Sequence, residues 1–274
     1  MSVVEMNSEK RVLEETAEAL AEDIYGRLLP RNLQLIPGIC DVYELELAFY
    51  ESRILSDDEI VRRGAYFAQV GESPTYHTLI CSGEALRLPR FSSARLRSFF
   101  ESKQFKTGYA THGLFPYRGK FHPQMVKALI NIMGLKPGET VLDPMMGSGT
   151  VLIEACLMEI KSIGIDASPF CRFMARAKLA GLTVPIEPIR IALRNCRAVF
   201  NHLQQGIGHT IPGSKVQSRV PSSFFQEPIE DYISCIGTGT GLSKSVMSQP
   251  VRDFLLLAYL DSAGYSERST RTSP

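Results

Sequence analysis

The segment from Val141 to Ala155 places an apolar strand, an acidic residue, a glycine-containing turn and a helix in direct succession. The apolar strand ends at Asp143, the turn contains Gly147 and Gly149, and a helical pattern begins at Thr150. Doubly wound α/β domains bind ligands in this way at the carboxyl end of their first strand. Glycines let a ligand approach the backbone, and the helix N-terminus offers free amide donors and a partial positive charge. We therefore expect an α/β fold with a ligand site at this turn.

The turn does not have the features of a phosphate-binding loop. It lacks the Gly-x-Gly-x-x-Gly pattern, and no Gly-Lys-Ser/Thr sequence follows it. The carboxylate of Asp143 would repel a phosphate but suits a cationic ligand that carries an amino acid. A second strand, residues 162–166, ends in Asp166, at about the 20-residue spacing of a carboxylate that binds ribose hydroxyls. A ligand with a ribose and no phosphate indicates S-adenosyl-L-methionine. The alternative is that this strand, turn and helix bind no ligand.

Two segments resemble a known family. Residues 143–150 read Asp-Pro-Met-Met-Gly-Ser-Gly-Thr. They are similar to the Asp-Pro-Phe-x-Gly-Ser-Gly-Thr cofactor motif of S-adenosylmethionine-dependent methyltransferases that modify exocyclic amines of DNA bases. Residues 111–124 resemble the family's other cofactor segment, commonly a His-Pro-Tyr run leading into Lys-Phe-x-Pro. Met145 and Phe115 depart from the usual residues. The resemblance covers about residues 109–180 and extends to archaeal and eukaryotic tRNA guanine methyltransferases.

The resemblance implies a Rossmann-like class I methyltransferase sheet, incomplete in this chain, and S-adenosyl-L-methionine as the cofactor. It also implies which residues bind the cofactor. These are Phe121, Pro123, Gln124, Asp143, Pro144, Gly147, Ser148, Gly149, Thr150 and Asp166.

The pattern along the chain predicts three regions: an N-terminal α+β accessory region (1–108), a cofactor-binding domain (109–205) and a loop-rich insert with a C-terminal helix (206–274). Helices are predicted at 8–29, 41–55, 123–133, 150–159, 170–180, 188–205 and 251–263, the last ending at Gly264. Strands are predicted at 64–70, 76–81, 140–143 and 162–166, with 71–74 as a turn. The alternation of helices and strands from residue 121 onwards predicts a parallel sheet.

Composition restricts the class of protein. The chain has 274 residues and a formal net charge of +1, which argues against a large nucleic-acid-binding surface without excluding a local patch. Six cysteines without a Cys-x-x-Cys pair predict a reduced, cytoplasmic protein. Five histidines show no metal-ligand spacing, so we expect no metal. We also expect no membrane span and no secretory leader.

The sequence does not identify catalytic residues. Related enzymes accept the amine hydrogens with a Ser/Asp/Asn-Pro-Pro-Tyr segment whose ring stacks on a flipped base, and this chain contains no Pro-Pro dipeptide. We expect a chain truncated before that segment, or one partner of a split enzyme whose second chain carries it. A degenerate enzyme and an unfamiliar catalytic segment stay open. Four aromatic residues are candidates for stacking a base, although core packing is favoured for each: Tyr109, Tyr117, Phe224 and Phe225.

Three functions follow as hypotheses. The first is a methyltransferase of exocyclic amines in DNA, or its cofactor-binding portion; the Lys-Phe-x-Pro and Gly-Ser-Gly-Thr sequences favour DNA over tRNA. The second is a tRNA guanine-N2 methyltransferase in which residues 1–110 bind RNA. The third is a non-catalytic scaffold that binds S-adenosylmethionine or no ligand.

Overall fold

A computed structural model describes residues 27–39, 41–82, 107–195 and 248–269. The chain divides into two compact units, each of which combines segments distant in sequence. The first unit contains residues 1–109, 121–139 and 158–160, and the second contains 110–120, 140–157 and 161–274. Both units combine helices with a small sheet, which confirms the α/β class. The predicted domain boundaries at 108 and 205 stay predictions.

The first unit is built on a three-stranded antiparallel sheet with the order β1-β2-β3. Its elements are β1 (Leu33–Leu35), α1 (Val42–Ile54), α2 (Asp57–Arg63), β2 (Phe67–Val70), β3 (Ser73–Pro74), α3 (Tyr76–Cys81) and α4 (Pro123–Ile132). Helices α1 and α4 match the predicted helices closely. The predicted turn is shorter than expected, because Ser73 and Pro74 pair with β2.

The prediction of a strand at residues 76–81 is wrong, since these residues form helix α3. The hydroxyl of Thr75 accepts a hydrogen bond from the amide of Thr78 at 3.2 Å, which caps the helix. The same hydroxyl donates to the carbonyl of Phe67 at 2.7 Å and so fixes the helix start on β2. Six residues with aromatic and β-branched side chains are too few for periodicity to separate a strand from a helix, and here the cap and the tertiary contact decide.

A buried carboxylate lies among the helices of the first unit. Glu51 of α1 is fully buried and accepts hydrogen bonds from the amide of Ala65 at 3.1 Å and from the side-chain amide of Asn131. Burial raises the pKa of Glu51 to about 7, against the effect of these hydrogen bonds and of the nearby Lys127 charge. Glu51 therefore joins α1 to α4 and to the segment between α2 and β2 through polar contacts inside the apolar core.

The second unit contains a two-stranded parallel sheet among its described residues. Its elements are β4 (Thr140–Asp143), α5 (Thr150–Leu157), β5 (Lys161–Gly164), α6 (Pro169–Thr183), α7 (Ile186–Arg194) and α8 (Gln249–Ser269). The strands pair in register from Thr140 opposite Lys161 to Asp143 opposite Gly164. Strand β4 has the predicted bounds, whereas β5 ends two residues before Asp166. The predicted parallel pairing of these two strands is confirmed.

Helices α6 and α8 form the main apolar core of the second unit. Phe173 and Met174 of α6 are buried with Leu256 and Leu257 of α8. A salt bridge of 2.6 Å from Arg176 to the buried Asp253 adds a directional contact between the helices. Helix α8 does not end at Gly264 as predicted but continues to Ser269. A glycine in a helix costs only about 1 kcal/mol relative to alanine, too little to stop a helix that packs over several turns.

One face of the two-stranded sheet carries exposed apolar side chains. Leu142 of β4 is 57% exposed, and Ile163 and Ile165 of the β5 segment are each 54% exposed. Because side chains alternate along a strand, these residues share a face. The adjacent helix α5 packs against the sheet, with Leu152 beside Gly164 of β5.

Several predicted segments lie outside the described residues. They are most of the helix predicted at 8–29, the end of the helix predicted at 188–205, the predicted loop up to residue 247, and the aromatic candidates Phe224 and Phe225. Helix α7 shows that the helix predicted from 188 begins two residues earlier, at Ile186.

Candidate functional site

Both glycines of the turn after β4 have left-handed backbone conformations. The φ angle is +49° at Gly147 and +80° at Gly149, a region that L side chains rarely adopt. A Cβ on Gly149 would lie 2.8 Å from the Cβ of Ala175, so this glycine also permits the close approach of α6. The amide of Gly149 donates to the carbonyl of Met146 at 2.7 Å, which closes the turn before α5 begins.

The backbone joins the ends of the two parallel strands. The amide of Ile165 donates to the carbonyl of Asp143 at 2.9 Å, and the amide of Met146 donates to the carbonyl of Ile165 at 3.0 Å. The side chain of Asp143 is buried, and its Oδ1 accepts from the amide of Met145 at 3.1 Å. The acidic residue that ends β4 and the loop after β5 that contains Asp166 are therefore held side by side in the second unit.

Asp166 ties the glycine turn to the start of α6. Its Oδ2 accepts a hydrogen bond from the amide of Gly147 at 2.9 Å, and its Oδ1 accepts from the amide of Ser168 at 2.8 Å. Ser168 in turn caps α6 by accepting from the amide of Cys171. A carboxylate has about four acceptor positions, so two of those on Asp166 remain for a ligand.

The other residues predicted in the turn differ in exposure. Ser148 and Thr150 are buried, whereas Pro144 is exposed. Thr150 begins α5, and the first amides of a helix have no acceptor within the helix itself. The turn can therefore present backbone donors, while its two acidic neighbours supply acceptors.

Phe121, Pro123 and Gln124 belong to the first unit, whereas Asp143 and the glycine turn belong to the second. Phe121 is 57% exposed. Pro123 is the first residue of α4, and the side chain of Gln124 is buried, donating to the carbonyl of Ala65 at 3.1 Å. Gln124 also lines a cavity of about 250 Å³ in the first unit, whose described walls include His77 and His122. These three residues stay predictions as cofactor ligands.

Sequence reasoning did not find a buried polar cluster in the second unit. His112 Nε2 lies 2.7 Å from Glu154 Oε1, and both side chains are buried. The ammonium groups of Lys120 and Lys178 lie 3.4 and 3.5 Å from the carbonyl oxygen of His112. Burial lowers the pKa of His112, against the hydrogen bond and charge of Glu154. Glu154 lies on α5 and His112 lies in the segment 111–124. No local pattern in the sequence indicates that these two side chains meet.

Some site types find no support in the part of the chain that the structure describes. Within those four ranges, no three His, Cys, Asp or Glu side chains are grouped so as to hold a metal ion. None of the described helices is both long enough and apolar enough to cross a membrane.

The motif-bearing region matches a methyltransferase family. Residues 114–209 match the family UPF0020, described as the RMKL-like methyltransferase domain. The match includes the glycine turn, both acidic strand ends and Tyr117, and it covers less than half of the chain. It confirms the resemblance to methyltransferases that the two motifs predict.

Three relatives each match part of the chain. The type II methyltransferase M.MjaII of Methanocaldococcus jannaschii is 47% identical over 68 residues, 25% of this chain and 13% of that protein. The type II methyltransferase M.BsoBI of Geobacillus stearothermophilus is 40% identical over 110 residues, 37% of this chain and 22% of that protein. A tRNA (guanine(10)-N2)-dimethyltransferase of Methanothermobacter thermautotrophicus is 32% identical over 77 residues, 28% of this chain and 23% of that protein.

The chain therefore spans less than a quarter of the length of each of these relatives. No solved structure matches it.

Proposed function

We propose that the chain is an S-adenosylmethionine-dependent methyltransferase, or its cofactor-binding portion, acting on exocyclic amines of DNA bases. The hydrogen bond from the amide of Gly147 to the carboxylate of Asp166 carries this proposal. It holds the turn after β4 against the loop after β5, where a ligand at the strand ends would meet both. The parallel pairing of β4 and β5 supports their assignment as the first two strands of a Rossmann-like class I sheet.

The residues of the turn fit the chemical groups of S-adenosylmethionine. The remaining acceptor positions of Asp166 suit the two ribose hydroxyls. Asp143 contributes negative charge for the ammonium group, and the first amides of α5 are donors. When bound, the cofactor supplies an electrophilic methyl group, while this chain's own residues position it.

DNA is the substrate that we favour. The Lys-Phe-x-Pro and Gly-Ser-Gly-Thr sequences resemble the DNA-modifying branch, and two of the relatives are type II methyltransferases. The similarity to a tRNA (guanine(10)-N2)-dimethyltransferase supports tRNA as the second candidate substrate. A scaffold that binds the cofactor without catalysis is the third alternative, because the chain contains no Pro-Pro dipeptide.

Calorimetric titration with S-adenosylmethionine tests the cofactor assignment. Asp166→Ala removes the ribose acceptor and should weaken binding at least tenfold, since a hydrogen bond to a charged group is worth about 1.5–3 kcal/mol. Asp58→Ala is the matched control, because Asp58 is an exposed carboxylate of the first unit. Thermal unfolding of both variants reports whether the fold is retained.

Absence of binding by the wild-type chain would contradict the cofactor assignment. Equal affinity of the wild type and Asp166→Ala would contradict only the ribose role of Asp166.

A further inference from the structure

The cavity of the first unit has apolar walls and a thiol at its border. Its volume is about 250 Å³, below the range of about 300–1,000 Å³ that holds drug-sized ligands. Cys81, the last residue of α3, lies in the described wall and is half-buried. The apolar part of that wall is formed by Ile36, Pro37, Ile39 and Ala68. The cavity can therefore admit a small, mainly apolar molecule to a cysteine side chain.

An imidazole contacts this thiol from the same helix. His77 Nε2 lies 3.5 Å from Cys81 Sγ, and a separation of four residues places both side chains on one face of α3. The ring of His77 is buried and meets the ring of Tyr109 edge to face, with 4.9 Å between the two centroids. This packing holds the imidazole in one orientation beside the sulfur.

A buried lysine selects the role of each imidazole nitrogen. Lys127 Nζ of α4 lies 3.4 Å from His77 Nδ1, and an ammonium group has only donors. Nδ1 therefore accepts, and a neutral ring carries its hydrogen on Nε2, the nitrogen that contacts the sulfur. A thiolate accepts such a hydrogen bond more strongly than a thiol does. The positive charge of Lys127 also favours the thiolate of Cys81.

Gln124 offers a hydrogen-bond donor in the same cavity. This residue lines the cavity and is only 6% exposed. One of its two amide hydrogens is donated to the carbonyl of Ala65 at 3.1 Å. The second amide hydrogen has no acceptor among the described residues, so it is available to a carbonyl group of a ligand. The cavity therefore combines a nucleophilic sulfur with a donor for a carbonyl oxygen.

We propose that Cys81 is a modification site for small, uncharged α,β-unsaturated carbonyl compounds that enter this cavity. The thiol first gives its proton to water, and the thiolate then attacks the β-carbon of the ligand. A sulfur–carbon bond forms, and the π electrons of the C=C bond pass to the carbonyl to give an enolate, which takes a proton from water. The amide of Gln124 donates to the carbonyl oxygen, where the negative charge develops. This inference goes beyond the proposed function and does not depend on it.

The first test uses the wild-type chain and N-ethylmaleimide, a small uncharged probe of this class. Mass spectrometry of the peptides measures the rate of addition at each cysteine separately. Cys156 is the internal reference, because it is also half-buried, whereas burial raises the pKa of its thiol. At pH 7, Cys81 should react at least tenfold faster than Cys156, the effect of one hydrogen bond to a charged acceptor. Equal rates at the two cysteines would overturn the proposal.

The second test removes the groups that favour the thiolate. His77→Phe keeps a ring beside Tyr109 but removes the nitrogen donor, and it should lower the rate at Cys81 at least tenfold. Lys127→Met keeps the length of the side chain, removes the charge and should also lower this rate. Lys136→Met, at an exposed position of the same unit, is the control and should not change it. Thermal unfolding checks that each variant keeps the fold.

The third test addresses the class of ligand. Gln124→Met removes the amide and keeps a side chain of similar length, so it should slow the addition of N-ethylmaleimide at Cys81. The reaction of Cys81 with bis(2-hydroxyethyl) disulfide, a small uncharged reagent without a carbonyl group, should not change. An unchanged rate with N-ethylmaleimide in this variant would overturn the carbonyl contact. A Cys81 that stays as reactive in folded His77→Phe as in the wild type would show that exposure alone causes the reaction, and the proposal would fail.

Discussion

At the scale of single residues, Lys178 carries an unfavourable charge in the second unit. It is 1% exposed on α6, and its Nζ shares the carbonyl of His112 with the Nζ of Lys120. Burial and the charge of Lys120 lower the pKa of Lys178 to about 7, against the opposite effect of Asp261. An unfolded lysine has a pKa of about 10.4, so the unfolded chain binds more protons between these two values.

Because the folded-state pKa is lowered, the free energy of unfolding should rise with pH between about 7 and 10.4, by up to about 1.4 kcal/mol per pH unit. Lys178→Met keeps the length of the side chain and removes the charge. We expect this variant to be more stable than the wild type at pH 7 and to show less pH dependence from 7 to 10. Urea unfolding at several pH values measures both effects.

Lys161→Met, at an exposed position of β5, is the control and should keep the pH dependence of the wild type. An identical pH dependence in Lys178→Met and the wild type would show that Lys178 is charged in the fold at pH 7 and solvated.

At the scale of elements, the pairing of α6 with α8 depends on a glycine. A Cβ on Gly181 would lie 2.6 Å from a ring carbon of Phe254 and 2.9 Å from the methyl group of Thr111. Alanine gains about 1 kcal/mol of helix propensity over glycine, but overpacking a filled core costs about 1–3 kcal/mol. The ring of Phe254 packs against the buried apolar cluster of this unit, so the overpacking cost should be the larger.

We therefore expect Gly181→Ala to lower the free energy of unfolding by about 1–2 kcal/mol, measured by urea unfolding. Phe254→Leu removes the ring that the new methyl group would meet. In a double-mutant cycle, the cost of Gly181→Ala should fall in the Phe254→Leu background. Additive effects of the two substitutions would contradict this prediction. They would show that α6 and α8 separate easily and that the contact with Phe254 does not cause the loss of stability in Gly181→Ala.

At the scale of the whole molecule, the chain carries the residues of the proposed cofactor site without a recognisable group to receive the amine hydrogens. No Pro-Pro dipeptide is present, and preorganised groups at the reacting atom supply much of an enzyme's rate. We predict that the isolated chain transfers methyl groups very slowly. Supplying a Ser-Pro-Pro-Tyr segment after an apolar strand, fused or as a second chain, should raise turnover. The added segment could cover the exposed apolar face formed by Leu142, Ile163 and Ile165.

The assay is radiolabelled methyl transfer to duplex DNA and to bulk tRNA, with and without the added segment. Transfer to DNA supports the favoured substrate, and transfer to tRNA alone supports the second candidate. Rapid turnover by the isolated chain would contradict the prediction and would show that its catalytic residues take an unfamiliar form.

The sequence by itself determined the features that depend on neighbours along the chain. The bounds of β4, the glycine turn and the start of α5 follow from an apolar run, an acidic end and glycines that a left-handed backbone requires. The parallel partner β5 follows from the repeated strand-helix pattern. Local backbone preferences and side-chain periodicity are strong enough to specify each of these without the rest of the molecule.

Only the tertiary structure decided the features that join distant residues. The helical form of Tyr76–Cys81 depends on hydrogen bonds to β2, and the position of Asp166 beside the glycine turn depends on its hydrogen bond with Gly147. The charge state of Lys178 depends on burial and on Lys120. In each case the free energy comes from desolvation or from a contact across many residues of chain, and a local pattern carries no information about either.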